Sequence, residues 1–203
     1  MYYAISHPIK TIVDTWLECK ALVTGVKGAC FKSFSTRKEA ETFLEDKPRT
    51  EPVIPDYYVY TDGSCIGNGT VEAKAGIGIY FGPSDPRNVS RRVEGRQTNN
   101  TGELCAILET FPLIEADIEK GRYVVIVSDS DYAIRCITEY GPKHASTGWK
   151  KDFPNKDLIR RVYDRYHSQP LVSFLHVRSH TGHTDIHSMG NAEADRLANE
   201  AVR

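Results

Sequence analysis

The stretch YVYTDGSCIGNG, residues 58–69, places a carboxylate directly after an apolar run rich in aromatic and β-branched residues. Such a run predicts a buried β-strand over residues 57–62, and the glycines and small polar residues behind it predict a turn. Asp62 therefore stands at the end of the predicted strand, where a charge must be paired or must bind something. The function depends on which other acidic residues can meet it.

Three other carboxylates occupy positions from which they could reach Asp62. Asp129 follows the run YVVIVS, whose nearly continuous apolar character predicts a strand buried on both faces. Because ligand sites in open α/β sheets lie at the carboxyl ends of parallel strands, Asp62 and Asp129 are expected side by side. Glu103 lies in the first turn of one predicted helix, and Asp195 lies in another.

The residues alone leave two interpretations of these acids open. Each has an ordinary structural explanation, as a turn residue, a helix N-cap or a solvated helix charge. If instead the four converge, they raise one another's pKa unless a divalent cation binds, and hard oxygen ligands select Mg²⁺ or Mn²⁺. Two such ions ~4 Å apart suit an in-line displacement at phosphorus.

The periodicity of apolar residues predicts an α/β fold with a mixed sheet flanked by helices. Three successive strands favour an antiparallel meander, and the later alternation of strands and helices adds parallel strands to its edge. Pro112 is expected to end or kink the predicted helix of residues 100–114. The predicted strands are 57–62, 75–81, 88–94, 123–128 and 171–177, and the predicted helices are 100–114, 131–140, 155–166 and 190–202.

A stretch with three prolines, residues 47–56, predicts a short, stiff linker between two domains. The first domain, residues 1–46, is a small α+β unit with two predicted strands and two predicted helices, capped by Thr15 and by Ser35 or Thr36. The second domain spans residues 57–203. Six lysines and arginines against two acidic residues among the first 38 indicate a polyanion-binding surface, with a solvated surface as the alternative.

The composition excludes several classes of protein. In 203 residues, of which 40% are hydrophobic and 26% charged, no run has the length of a membrane span and no signal-peptide layout begins the chain. Five scattered cysteines without C-x-x-C argue against a disulfide framework and for a reducing, cytoplasmic location. The histidines 176, 180, 183 and 187 have zinc-like spacing but fall on a strand and a loop, which disfavours zinc.

Four motifs in order, YTDGS, RQTNNTGELCAI, VSDSDYAI and HVRSHTGHTDIHSMGNAEADRLA, resemble the type 1 ribonucleases H. This resemblance implies a ribonuclease H-like mixed five-stranded sheet and endonucleolytic cleavage of the RNA strand of RNA–DNA hybrids with Mg²⁺. The family's metal-binding acids fall on Asp62, Glu103, Asp129 and Asp195. Its mobile catalytic histidine falls on His180, with His183 as the alternative because the loop is longer than usual. Gly102 stands where the family usually has alanine.

The resemblance also implies a set of nucleic-acid contacts. Residues that read the minor groove of the hybrid fall on Asn68, Asn99 and Asn100, whose amides suit base edges and 2′-hydroxyls. Residues that hold a phosphate of the DNA strand fall on Arg96, Thr98 and Asn155.

Residues 1–44 resemble the hybrid-binding, viroplasmin-like domain found in front of many ribonucleases H. By that resemblance Tyr3, Trp16 and Phe31 contact sugars or bases, and Lys32 lies near phosphate. The alternative is that Trp16 and Phe31 form the core of a very small domain. Double-stranded RNA is a second expected partner of this domain, no membrane partner is expected, and the protein is expected to be a monomer.

The predicted function is two-metal-ion hydrolysis of the RNA strand of RNA–DNA hybrids, giving 5′-phosphate and 3′-hydroxyl ends, with Mn²⁺ as a substitute for Mg²⁺. The main alternative is a non-catalytic protein that binds hybrids or double-stranded RNA. The presence of all four acids favours the enzyme. A ribonuclease H module of a reverse transcriptase and a DNA-directed nuclease of related fold are further alternatives.

Overall fold

The computed structural model describes residues 1–7, 9–24, 29–45, 54–179 and 184–203. The chain divides into two compact units, residues 1–53 and 54–203. Most of the predicted linker, residues 47–53, lies outside the described residues. Within the described ranges, no helix combines the length and the apolar character that crossing a bilayer requires.

The first unit is a three-stranded antiparallel sheet, of order β2-β1-β3, with one helix on each face. Cys19 and Val23 of the first helix pack on Ile5, and Ala40 and Leu44 of the second helix are buried on the opposite face. The elements are β1 (Tyr2–His7), β2 (Thr11–Val13), α1 (Trp16–Val23), β3 (Cys30–Phe34) and α2 (Arg37–Glu45). This confirms the predicted α+β class. Strand β2 was missed because three residues are too few to show alternation.

Both helices of the first unit begin at a capping box. The hydroxyl of Thr15 accepts from the backbone N–H of Glu18, whose carboxylate accepts from the N–H of Thr15. Thr36 and Glu39 exchange the same pair of hydrogen bonds at the start of α2. The predicted cap at Thr15 is confirmed, and Thr36 rather than Ser35 caps α2.

The second unit is a five-stranded sheet of order β6-β5-β4-β7-β8 with helices on both faces. Its elements are β4 (Tyr57–Ile66), β5 (Lys74–Tyr80), β6 (Val89–Arg92), α3 (Asn99–Glu119), β7 (Val124–Ser128), α4 (Asp131–Arg135), a π-helical turn (Cys136–Tyr140), α5 (Gly141–Ala145), α6 (Lys156–Tyr166), β8 (Val172–His176) and α7 (Ile186–Val202). β4, β5 and β6 are antiparallel, whereas β7 runs parallel to β4 and to β8. The predicted mixed five-stranded sheet is confirmed.

The two faces of β5 explain how the layers of the second unit pack. Ile77 and Ile79 belong to the main core, together with buried residues of α3 and α6. Gly76 and Gly78 alternate with them and lie against α7, where a Cβ atom on Gly78 would come within 2.6 Å of the backbone nitrogen of Ala198. The missing side chains therefore allow α7 to approach the sheet at backbone distance.

Strand β4 is longer than predicted, and Asp62 lies within it rather than at its end. The antiparallel pairing of β4 with β5 continues to Ile66. The parallel pairing with β7 ends at the pair Thr61 and Ser128. Asp62 therefore lies beside the end of β7, although its own strand continues to Ile66.

Two helices also differ from the prediction. Helix α3 continues through Pro112 to Glu119, because Phe111 and Ile114 on either side of the proline are buried in the core. Helix α7 begins at Ile186, four residues earlier than predicted, because the carboxylate of Asp185 accepts hydrogen bonds from backbone N–H groups of its first turn.

Candidate active site

Three acidic side chains from three elements meet at the end of β7. Asp62 comes from β4, Glu103 from α3 and Asp129 from the residue after β7, and each offers an oxygen within 4.8 Å of the others. Asp62 and Glu103 are only 6% and 5% exposed. The parallel register of β4 and β7 places Asp62 and Asp129 side by side, as the sequence suggested.

Asp195 on α7 borders the same cavity, which has a volume of about 490 Å³. Asp195 is not among the three residues whose oxygens lie within 4.8 Å of one another. It is nevertheless close enough that its charge raises the pKa of Asp62. Among the described residues that line this cavity there is no lysine or arginine. The acids are therefore not paired with basic side chains in this part of the protein.

The surroundings of Asp62 and Glu103 disfavour the ionised form of these carboxyl groups. Burial, followed by the charges of Asp129 and Asp195, raises the pKa of Asp62 to about 8. Burial and the charges of Asp62 and Asp129 likewise raise the pKa of Glu103 well above its usual range. One oxygen of Glu103, Oε2, is buried and has no hydrogen-bond partner among the described residues. A divalent cation would remove both penalties, so the cluster fits an ion with oxygen ligands.

A glycine contact brings α3 to the sheet. A Cβ atom on Gly63 would lie 2.5 Å from the carbonyl carbon of Gly102 and 2.9 Å from Cα of Glu103. A Cβ atom on Gly102 would lie 3.1 Å from Cα of Gly63. The absence of a side chain at Gly63 therefore allows the first turn of α3, with Glu103, to lie directly on β4, whereas a Cβ atom on Gly102 would require a shift of only a few tenths of an ångström.

A second cavity of about 580 Å³ is lined by five of the predicted hybrid-contacting residues. These residues are Asn68, Arg96, Thr98, Asn100 and Asn155. Arg96 donates a hydrogen bond of 3.4 Å to the side chain of Asn155, which has a left-handed backbone with φ of 61°. Asn99, the sixth of this group, lines the acidic cavity instead. Tyr132, which sequence reasoning missed, lines both cavities.

Three aromatic residues of the first unit, Tyr3, Trp16 and Phe31, form a row that is partly exposed. The ring of Trp16 lies 5.7 Å from that of Tyr3 and 5.6 Å from that of Phe31. Trp16 and Phe31 are 48% and 40% exposed, so the alternative in which they form the core is wrong. Lys32 is not part of this row. It follows Phe31 in a strand and therefore points to the opposite face, where its ammonium lies 5.6 Å from the ring of Phe34.

Two asparagines and a serine around the acids were not predicted from the sequence. The amide of Asn191 donates to Asp129 at 3.0 Å, and the amide of Asn199 donates to Asp195 at 2.8 Å. Asn199 in turn accepts from the hydroxyl of Ser64 at 2.6 Å. The available signal was their spacing, because both asparagines are four residues from Asp195 on one helix.

The predicted catalytic histidine, His180, and its alternative, His183, lie outside the described residues. The two described histidines of the same series have separate surroundings. His176 lies with Nε2 3.1 Å from the carbonyl oxygen of Asp129, whereas the ring of His187 packs on Tyr58.

Comparisons with known proteins cover both units. Residues 55–203 match the family described as RNase H, and residues 1–44 match the Ribonuclease H1 N-terminal domain, which confirms the resemblance drawn from the motifs. The chain is 30% identical to Ribonuclease H1 of Mus musculus, over 100% of this chain and 90% of that protein. It is 39% identical to Ribonuclease H of Schizosaccharomyces pombe, over 82% of this chain and 61% of that protein.

A solved structure supports the fold. The solution structure of the PFV RNase H domain matches with a TM-score of 0.56 and 24% identity, over 72% of this chain and 93% of that domain. Three findings point to the same family: the two family matches, the relative from Mus musculus that is matched over the whole of this chain, and the five-stranded sheet. The chain therefore belongs to the ribonuclease H family.

Proposed function

We propose that this protein is a metal-dependent endoribonuclease that hydrolyses the RNA strand of RNA–DNA hybrids. The observation that carries the proposal is the convergence of Asp62, Glu103 and Asp129 within 4.8 Å of one another in a cavity. Membership of the ribonuclease H family supplies the substrate class. The proposed products carry 5′-phosphate and 3′-hydroxyl ends, because water attacks the RNA phosphorus in line with the 3′-oxygen, which leaves as its P–O bond breaks and takes up a proton.

The acidic quartet is proposed to bind two Mg²⁺ ions, with Mn²⁺ as a substitute. When bound, such ions activate the attacking water and stabilise the leaving oxygen. In this assignment Asp62 would contribute an oxygen to both ions, Glu103 and Asp129 would hold one of them, and Asp195 would help to hold the other. Oxygen-only ligands and the raised pKa values of Asp62 and Glu103 support a hard cation at this position.

The second cavity is proposed to hold the hybrid beside the acids. Arg96, Thr98 and Asn155 would bind a phosphate of the DNA strand, which guanidinium and the N-terminal end of α3 both favour. The amides of Asn68, Asn99 and Asn100 would read the minor groove, where the 2′-hydroxyl separates RNA from DNA. Asn99 on the acidic cavity and Asn100 on the neighbouring one support a continuous binding surface.

Proton transfer is proposed for a histidine of the loop before α7. His180 is the first candidate and His183 the second, both from the family resemblance.

The first unit is proposed to bind the hybrid and raise its local concentration at the catalytic unit. The partly exposed row of Tyr3, Trp16 and Phe31 offers flat faces for sugars or bases. Lys32 is proposed to bind phosphate. Because it lies on the other face of the edge strand β3, only a nucleic-acid backbone that passes around this edge would meet it together with Phe31.

The experiment compares three labelled substrates: an RNA–DNA hybrid, an RNA duplex and a DNA duplex, each with Mg²⁺ and with a chelator. We expect cleavage of the RNA strand of the hybrid alone, and only with Mg²⁺. End-group analysis should then show 5′-phosphates. Binding of the hybrid without cleavage in Mg²⁺ would instead support the non-catalytic alternative.

A further inference from the structure

One face of α7 carries three polar residues at successive helical turns, Asn191, Asp195 and Asn199. Residues spaced by four lie above one another on the same side of a helix. Only the middle member belongs to the proposed metal-binding quartet. The two asparagines contact carboxylates of that quartet, and neither contact is explained by the proposed function itself.

Asn191 links α7 to the end of β7. Its side-chain amide donates to Asp129 Oδ2 at 3.0 Å, and the residue is only 5% exposed. Its own oxygen, Oδ1, is buried without a hydrogen-bond partner in the part of the chain that the structure describes. A buried polar group left half-satisfied is unfavourable for folding, so stability alone does not account for an asparagine here.

Asn199 links Asp195 to β4. Its amide donates to Asp195 Oδ1 at 2.8 Å, and its Oδ1 accepts from the hydroxyl of Ser64 at 2.6 Å. Ser64 stands two residues after Asp62 on the same strand. The serine, the asparagine and the aspartate therefore form a chain of hydrogen bonds from the sheet to the carboxylate on the helix.

We propose that Asn191 and Asn199 are positioning residues that orient the carboxylates of Asp129 and Asp195 for cation binding. Each amide occupies one oxygen of its carboxylate, which fixes the rotation of the group and leaves the other oxygen for an ion. Partners of this kind, behind the ligands themselves, are a common requirement of metal sites. The inference rests on the proposed function, because it assumes a cation at the acidic cluster.

The test measures binding of Mn²⁺ alone to the metal-free chain of 203 residues by isothermal titration calorimetry. The variants are Asn191→Leu and Asn199→Ala. Glu200→Gln is the control, since Glu200 lies on the same helix and pairs with Arg196 on the exposed side. We expect Mn²⁺ affinity to fall about 10-fold or more in the first two variants and to stay unchanged in the control.

Two further readouts separate positioning from a merely structural role. Asn191→Leu removes the buried unpartnered oxygen but also the amide that donates to Asp129, and these effects on stability oppose each other. The melting temperature without metal should therefore change little while Mn²⁺ affinity falls. In cleavage of the hybrid at limiting Mg²⁺, kcat should fall while KM for the hybrid is unchanged. A lower melting temperature with normal Mn²⁺ affinity would overturn the inference and assign a structural role.

Ser64 tests the chain of hydrogen bonds on its own. Ser64→Ala should weaken Mn²⁺ binding less than Asn199→Ala does, and the double variant should be no weaker than Asn199→Ala alone. Additive losses would show that Ser64 does not act through Asn199 and would overturn that part of the inference.

The outcomes also distinguish this inference from the proposed function. If the wild-type protein binds Mn²⁺ and cleaves the hybrid while both asparagine variants bind Mn²⁺ like wild type, only the positioning role fails. If the wild-type protein itself binds no Mn²⁺ in the same titration, the metal-dependent function fails and the inference fails with it.

Discussion

Gly63→Ala tests whether the close approach of α3 to β4 is what brings Glu103 to the other carboxylates. The added Cβ atom would lie 2.5 Å from the carbonyl carbon of Gly102 and 2.9 Å from Cα of Glu103. Both are backbone atoms, so no side-chain rotation can relieve the contact. An ordinary contact begins at 3.4 Å, and the first turn of α3 must therefore move away from β4 by about 1 Å.

Two losses follow from that displacement. Overpacking of this kind costs about 1–3 kcal/mol, and in a chain of this size each kcal/mol lowers the melting temperature by about 2–4 °C. Glu103 moves with the helix, and a misplacement of about 1 Å in a catalytic site can reduce the rate about 100-fold. We therefore expect a lower melting temperature together with a large loss of kcat on a labelled RNA–DNA hybrid in Mg²⁺.

Gly102→Ala is the matched control from the other side of the same contact. Its Cβ atom would meet its nearest neighbours at 3.0 and 3.1 Å, and alanine is the better helix former by about 1 kcal/mol. This variant should stay close to wild type in both melting temperature and kcat. The reasoning is refuted if Gly63→Ala melts and cleaves like wild type, because the contact would then not set the position of Glu103.

Four further predictions concern the site and its substrate. Asp129→Asn should abolish cleavage in Mg²⁺ yet retain hybrid binding in a filter-binding assay, since it weakens the metal site and spares the contact surface; normal cleavage would contradict the assignment. Arg96→Ala should weaken hybrid binding and reduce the salt slope of log Kd by about one, whereas an unchanged slope would remove Arg96 from the phosphate contacts. Deleting residues 1–46, or replacing Trp16 by alanine, should raise KM for the hybrid far more than it lowers kcat, and an unchanged KM would contradict tethering. Without metal, the pKa of Asp62 in the folded protein is raised to about 8. At pH values between the ordinary pKa of an aspartate and 8, the folded protein therefore binds more protons than the unfolded chain does. Stability should therefore fall as pH rises through that range, less so in Asp62→Asn or with Mg²⁺, as thermal melts at several pH values would show.

Much of the site could be anticipated because its signals are local. The apolar run that ends just before Asp129 predicted a strand, and parallel pairing with the strand of Asp62 predicted that the two aspartates lie side by side. The register of β4 and β7 agrees with this prediction. The length of β4 could not be anticipated, because the residues after Asp62 are held in a strand by pairing with β5, which is distant in sequence. Gly63 looked like a turn residue for the same reason, although its actual role is the contact with α3.

Other differences come from tertiary packing and from a missed periodicity. Pro112 lies inside α3 because the buried residues around it stabilise the helix more than the proline disrupts it. The partner of Asn191 is invisible in the sequence because Asp129 comes from another element. In contrast, the separation of Phe31 from Lys32 follows from strand alternation alone and was predictable.

The acids of the cluster come from separate strands and helices, with Asp62 in the first strand of the second unit and Asp195 in its last helix. No single helix or strand contains two of these acids. A folding intermediate in which only some of these elements have packed therefore has no complete acidic cluster and should not cleave RNA. During refolding from denaturant, recovery of hydrolysis should therefore lag behind recovery of ellipticity. The time at which hydrolysis returns would show when α7 packs against Gly76 and Gly78 of β5.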